Sequence, residues 1–188
     1  MMTESDERRA IISIVSDNEP GVLARIAGML SGRGYNIDSL TVAPIDRKRA
    51  RFTILTTGST AIVEQIIAQL GRLIPVHSVF DLNETEDFVA RELALIKLRP
   101  CDVASIDMVN LAEIESIRTI RSHADAAAIF ELTGTTQQID RFLTRLTSAA
   151  DIEIVRTGIA AISTKTHPLD GIERSESAHS LPSVIGQG

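Results

Sequence analysis

A chain of 188 residues with 44% hydrophobic content is long enough to bury one core or two small ones, and too apolar to remain disordered. A net charge of −6, 3% aromatic residues and no Trp argue against nucleic acid as a partner, because phosphate binding needs clustered Lys and Arg and base stacking needs aromatic platforms. The single Cys excludes an internal disulfide and a Cys-based zinc site; "MMTESDERR" has no apolar stretch of signal-peptide type, and no run approaches the ~20 apolar residues of a membrane span, so the expectation is a soluble, cytoplasmic protein with no membrane partner.

In chain order, "RRAIISIVS" is short, apolar and β-branched, and reads as a strand. From Pro20 to Arg33 the residues Val22, Ile26 and Leu30 fall four apart, with Leu23 and Ala27 beside them, which is the period of a helix face; Gly32 and Gly34 end it. "YNIDSLTVAPI" has β-rich composition, "DRKR" makes a charged turn, and "ARFTILTTG" sets Phe52 and Ile54 against Arg51 and Thr53 as a half-buried strand. "STAIVEQIIAQLGRL" predicts a helix with Ile62, Ile66, Leu70 and Leu73 on one face and Ser59 or Thr60 as N-cap. "PVHSVFDLN" is a fourth strand.

After "ETED" the order repeats. "VARELALIKLRP" reads as a strand, "CDVASIDMVNLAEIESI" as a helix, "RTIRSHA" and "DAAAIFELTG" as strands. "TTQQIDRFLTRLTSAA" places Ile139, Phe142, Leu143 and Leu146 at i, i+3, i+4, i+7 of a helix, and "DIEIVRTGIAAIS" reads as one last strand. Two successive βαββαβ units predict an α+β chain of two tandem ferredoxin-like domains, residues 8–83 and 87–164, followed by a disordered tail at 165–188. Each unit would be a four-stranded antiparallel sheet with two helices on one face. The opposite face of the first sheet carries both apolar and polar side chains, which suits a face covered by another subunit or by the second half.

Catalytic chemistry has little to stand on. His77, His123, His167 and His179 have no partner at metal-ligand spacing and read as surface or edge histidines. Cys101 precedes a predicted helix, where a thiol is either incidental or activated by the helix N-terminus. No G-x-S-x-G elbow and no phosphate-binding glycine loop is present, and Arg47, Lys48, Arg49 and Arg51 read as a solvated hairpin turn or an anion contact. "DNEPGVLARI" is different. Asp17 or Asn18 is expected to cap the helix and Pro20 to fit its first turn, while Gly21 leaves no side chain over the backbone. The N–H groups of Gly21, Val22 and Leu23 would then be presented to an anion, and the helix dipole favours a carboxylate there.

"DNEPGVLARIAGMLSGRGYNIDSLTVAP" closely resembles the N-terminal regulatory ACT domain of acetolactate synthase small subunits. The family pattern, approximately N-x-x-G-x-L-x-R and then R-G-Y-N-I-x-S-L-T-V, is met by Asn18, Gly21, Leu23 and Arg25, then by Arg33 to Ile37 and Ser39 to Val42. "ARELALIKL", "ELTGT", "IDRFL" and "VRTGIAAIS" resemble that family's C-terminal domain, so the resemblance spans about residues 8 to 164. One stretch departs: where the family has a helix end like "IFRAKIVDV", this chain has "IESIRTIRSHAD", which puts the strand pairing of the second half in question.

The resemblance implies a subunit without an active site that binds a large catalytic subunit, which uses thiamine diphosphate, Mg²⁺ and FAD to condense two 2-oxoacids. It implies activation of that subunit and feedback inhibition by valine, sometimes by leucine or isoleucine. The implied effector site lies between the ACT domains of a small-subunit homodimer. The matching positions are Asn18, Gly21, Val22 and Leu23 from the turn, and Asn36 and Ile37 from the second strand of the other subunit. A branched amino acid agrees with these groups: its carboxylate suits the N–H groups of residues 21 to 23, its ammonium suits Asn18 or Asn36 oxygens or strand carbonyls, and its branch suits Leu23 and Ile37. A free-standing ACT-domain amino-acid sensor controlling another enzyme or a transcription factor is the alternative. An enzyme in its own right is disfavoured, since neither a paired acid and base nor a nucleophile with a base is present.

Overall fold

The computed structural model describes residues 7–84, 87–99, 117–123, 126–148 and 150–165. Its elements are β1 (Glu7–Asp17), α1 (Val22–Ser31), β2 (Ser39–Pro44), β3 (Arg49–Ser59), α2 (Thr60–Leu70), β4 (Val76–Asp81), β5 (Phe88–Leu98), β6 (Ile117–His123), β7 (Ala126–Gly134), α3 (Thr136–Thr147), β8 (Ile152–Arg156) and β9 (Ala160–Ser163). The helix expected in "CDVASIDMVNLAEIESI" and the tail beyond Lys165 lie outside the described residues, as do Cys101, His167 and His179.

The first sheet has the order β2-β3-β1-β4 and is antiparallel throughout. β1 and β3 pair along their full length, from Glu7 opposite Ser59 to Asp17 opposite Arg49. One face carries Ala10, Ile12, Ile14, Ala50, Phe52 and Ile54, and packs on Val22, Ile26 and Leu30 of α1 and on Val63, Ile66 and Leu70 of α2. The α1 face is the expected one. The α2 face is rotated by one position: Val63 is buried where Ile62 was expected, and Ile62 is 40% exposed. Ser59 caps α2 by accepting from the Ile62 N–H, and with the helix beginning at Thr60 the Val63–Ile66–Leu70 stripe meets the sheet. β2 begins at Ser39, later than "YNIDSLTVAPI" implied, so Tyr35 to Ile37 form an irregular lead-in rather than strand.

The second sheet repeats the order as β6-β7-β5-β8, again antiparallel. Ala94, Ile96, Leu98, Ala128, Phe130 and Leu132 pack on Ile139, Phe142, Leu143 and Leu146 of α3, the four positions read from its period. α3 opens with a capping box, in which Thr135 Oγ1 accepts from the Gln138 N–H and Gln138 Oε1 from the Thr135 N–H. The divergent "RTIRSHA" forms β6, which pairs with β7 through two register shifts.

The expected last strand is two. β8 pairs with the C-terminal half of β5 and β9 with its N-terminal half, and the register moves by one residue across Thr157–Ile159, where Gly158 has φ +79°. This inserted residue reverses the alternation. Ile152, Ile154 and Arg156 in β8 and Ile159 and Ala161 at β9 therefore share one face. On β5 the same face carries Phe88, Ala90, Glu92, Ala94, Ile96 and Leu98. Its far half packs under α3, while Phe88 and Ala90 join Ile159 and Ala161 against Ile11, Leu55 and Leu82. Ile11 and Leu55 belong to the non-helical face of the first sheet, so at these residues that face is covered by the second half of the same chain rather than left for a second subunit.

The joint is tight at Gly158. A Cβ there would lie 3.1 Å from Thr41 Oγ1 and 3.2 Å from Ser39 Cβ, and Thr41 Oγ1 donates to the Thr157 carbonyl at 3.2 Å. A β-branched residue would meet both a left-handed backbone and a filled space. Gly158→Val is expected to destabilise the chain by about 1–3 kcal/mol, read as a lower midpoint in urea unfolding.

Candidate functional site

The start of α1 differs from the expected capping. Gly21 itself is the N-cap, at φ +89° and ψ −9°, and no side chain caps the helix. The Asp17 carboxylate is committed elsewhere, with Oδ1 at 2.8 Å from His77 Nε2, and the Asn18 backbone N–H donates to the Lys48 carbonyl at 2.7 Å. Pro20 precedes the helix instead of filling its first turn, because glycine at the cap takes the left-handed bend that other residues resist. The Gly21 carbonyl accepts from the Arg25 N–H and so starts the helical ladder.

The exposed backbone at this turn overlaps with what the sequence suggested, losing Val22 and gaining Ala24. The Val22 N–H reaches the Glu19 carbonyl at 3.4 Å, and the Val22 side chain is buried in the core. The N–H groups of Gly21, Leu23 and Ala24 donate to no group among the described residues. Leu23 is half exposed at 47%, and a Cβ added at Gly21 would meet open space. A polar hollow of about 570 Å³ lies at this end of the sheet, lined by Asp17, Asp46, Arg47, Lys48, Arg49 and His77. Arg49 folds back on Asp46, with Nη2–Oδ2 at 2.7 Å. That contact and the N–H of Lys48 hold the Asp46 carboxyl below its ordinary value. The side chains of Arg47 and Lys48 make no ion pair among the described residues.

Asn36 and Ile37 lie at the opposite end of the sheet. Asn36 Nδ2 donates to Asp38 Oδ1 at 2.6 Å, its carbonyl accepts from Thr56 Oγ1 at 2.7 Å, and the Asp38 N–H donates to the Leu55 carbonyl. Ile37 packs partly into the first core. The α1 turn is tied to the start of β3 at Lys48, and Asn36 to Thr56 near its end. About seven residues of extended strand separate them, roughly 20 Å at ~3.3 Å per residue. One chain does not bring the two groups together.

A second concavity, which the sequence did not indicate, opens between the sheets. Its volume is about 400 Å³, and its walls include Arg9, Asp38, Leu40 and Leu55 from the first half and Glu92, Asp140, Arg156 and Ile159 from the second. Glu92 is 5% exposed and lies on β5 between the two cores. It receives a bidentate guanidinium: Arg156 Nε–Oε1 and Nη2–Oε2 are both 2.7 Å, while Arg156 Nη1 reaches Asp140 Oδ1 at 2.6 Å. The Glu92 contact, then that of Asp140, holds Arg156 charged against its partial burial, with its pKa raised above the ordinary value. A glutamate inside a strand otherwise reading "ALIKL" was the available signal, since a buried carboxylate requires a cation. Among the described residues no group of three or more His, Cys, Asp or Glu is arranged to hold a metal ion, and no helix is long and apolar enough to cross a membrane.

Comparison with known proteins matches both halves. Residues 12–78 match the family described as "AHAS small subunit-like ACT domain", and residues 91–165 the family "Small subunit of acetolactate synthase". The acetolactate synthase small subunit of Haemophilus influenzae is 36% identical over 157 residues, covering 82% of this chain and 95% of that protein. The isozyme 3 small subunit of Escherichia coli gives the same four values. The crystal structure of the small subunit from Thermotoga maritima superposes with a TM-score of 0.72 at 32% identity, covering 85% of this chain and 99% of that one. With both halves matched and nearly the whole length of these relatives spanned, the chain belongs to the family of acetolactate synthase small subunits.

Proposed function

We propose that this chain is the cytoplasmic regulatory subunit of an acetolactate synthase. It binds the large catalytic subunit, raises its activity, and makes it sensitive to valine or a related branched-chain amino acid. On this reading the condensation of two pyruvates to 2-acetolactate and CO₂, with its thiamine diphosphate, Mg²⁺ and FAD, belongs to the large subunit. The relatives' designation as small subunits supports the partnership.

The observation that carries the regulatory reading is the unsatisfied first turn of α1. The Leu23 and Ala24 N–H groups, the positive end of the helix dipole and the nearby Arg47 and Lys48 suit a carboxylate. Asn36 donates one amide hydrogen to Asp38, and its Oδ1 suits an ammonium donor. Leu23 and Ile37 offer apolar ground for the branch. Since these two groups lie at opposite ends of one sheet, an effector touching both needs two chains. The unpaired edge of β2, with Val42 42% exposed and Ile45 39% exposed beyond it, favours a homodimer through the first half by edge-to-edge pairing. The joint beside β2 supplies a route outward: Asn36 is held by Asp38, Asp38 is followed by Ser39, and Ser39 abuts Gly158. An effector that favours one arrangement of two β2 lead-ins would then bias how the second half is presented to the catalytic subunit.

Three outcomes are expected. Purified alone, the chain turns over no pyruvate; added to a thiamine-dependent large subunit, it raises the rate and confers inhibition by valine in a titration run beside leucine and isoleucine. Gly21→Asp raises the valine concentration for half-inhibition at least ~tenfold, equivalent to ~1.4 kcal/mol, and spares activation. Asp tolerates the left-handed backbone and meets no neighbour, and Gly21→Asn, with the same shape and no charge, loses less sensitivity. Val42→Asp lowers the dimer fraction in sedimentation at tens of micromolar, because a charge on an open edge opposes pairing.

A further inference from the structure

The cleft between the sheets holds more charge than its ion pairs consume. Both Glu92 oxygens are taken by Arg156, and Oε2 also accepts from Thr136. All three Arg156 nitrogens are used. Asp38 accepts from Asn36 on Oδ1 and from Thr57 on Oδ2. Two groups are left over. The Arg9 guanidinium, on the same face of β1 as Ile11, makes no hydrogen bond or ion pair among the described residues, and the Asp140 carboxylate meets Arg156 through Oδ1 alone. The first lies on the first half and the second on α3, so a cation and a carboxylate face the cleft from its two walls. Its apolar ground is limited to Leu40, Leu55 and Ile159. Its volume of about 400 Å³ falls within the ~300–1,000 Å³ of small-molecule sites.

We propose that this cleft is a second amino-acid site, complete within one chain and distinct from the two-chain site at α1. Arg9 receives the carboxylate, Asp140 Oδ2 receives the ammonium, and a short aliphatic side chain lies toward Leu40 and Leu55. A 2-oxo acid shares the carboxylate and side chain but lacks the ammonium, so the two sources are separable. A ligand here bridges the halves beside Thr157–Gly158 and stiffens the joint.

The test is equilibrium dialysis of the full-length chain with labelled L-valine, beside 2-oxoisovalerate. The expected result is two classes of site. Arg9→Gln removes one class and keeps the other, and Gly21→Asp does the reverse. Asp140→Asn weakens valine in the cleft class by ~tenfold and leaves any 2-oxoisovalerate binding unchanged. Urea midpoints of all three variants are read in parallel, so that loss of binding is scored only on folded protein, and Arg9→Lys, which keeps the charge, retains the cleft class. If Arg9→Gln abolishes all valine binding while Gly21→Asp abolishes none, the cleft stands and the two-chain reading fails. A single class removed by Gly21→Asp and untouched by Arg9→Gln overturns the cleft, as does absence of saturable valine binding at millimolar concentration. Equal affinity for 2-oxoisovalerate overturns the amino-acid assignment.

Discussion

The face that β5 presents to two different cores is the constraint on which the molecule depends. Eleven residues of strand carry one apolar face, and no single partner covers it. Its C-terminal half is roofed by α3, its N-terminal half by the outer face of the first sheet. Glu92 lies where the two coverings meet, and its 5% exposure leaves no room for an unpaired charge. Arg156 answers it from the neighbouring strand with a bidentate fork, which fixes the β8 register while keeping part of the guanidinium in water. β8 and β9 must then serve both coverings in turn. A strand of unbroken alternation is able to do so only if its apolar residues stay in phase, and here they do not: Ile152, Ile154, then Ile159, Ala161. The extra residue at Gly158 absorbs the phase change.

That solution has a consequence for the first half. With Ile11 and Leu55 buried beneath Ile159 and Ala161, the sheet face is no longer available for self-association there. Among the described residues the outer edge of β2 remains without a paired strand. β2 is also the strand that Thr157 and Gly158 touch, so the open edge and the intramolecular docking share one six-residue element.

Most of the fold was legible because the periodicities were undisturbed. Ile139, Phe142, Leu143 and Leu146 announce α3, and Val22, Ile26 and Leu30 announce α1 without competition. In α2 the apolar residues Ile62, Val63, Ile66 and Ile67 form a stripe about 140° wide, so spacing alone left the buried line open to a shift of one. "IVRTGIAAIS" read as one strand because β-branched residues stand on both sides of Gly158; the isolated glycine was the local sign of the break, and the pairing with β5 shows the change of phase. At the α1 turn the residue types pointed to an open helix start, yet short polar side chains beside a glycine suggested capping by Asp17 or Asn18. The position of His77 opposite Asp17, which draws the carboxylate away, is set by long-range pairing of β4 with β1 and is invisible in local sequence. The cleft was invisible for the same reason: Arg9, Asp38, Asp140 and Arg156 come from four separate stretches.

A regulatory subunit acts on its partner only by having two arrangements that the partner tells apart, and the binding free energy of an effector is available for this only as a difference between them. The joint combines a polar contact with an apolar one: Thr41 Oγ1 donates to the Thr157 carbonyl at 3.2 Å, and Ile11, Leu55 and Leu82 of the first half pack on Phe88, Ala90, Ile159 and Ala161 of the second. The absence of a side chain at residue 158 serves two ends at once: it permits the phase change that builds the second sheet, and it lets the second half approach β2 closely at Ser39 and Thr41.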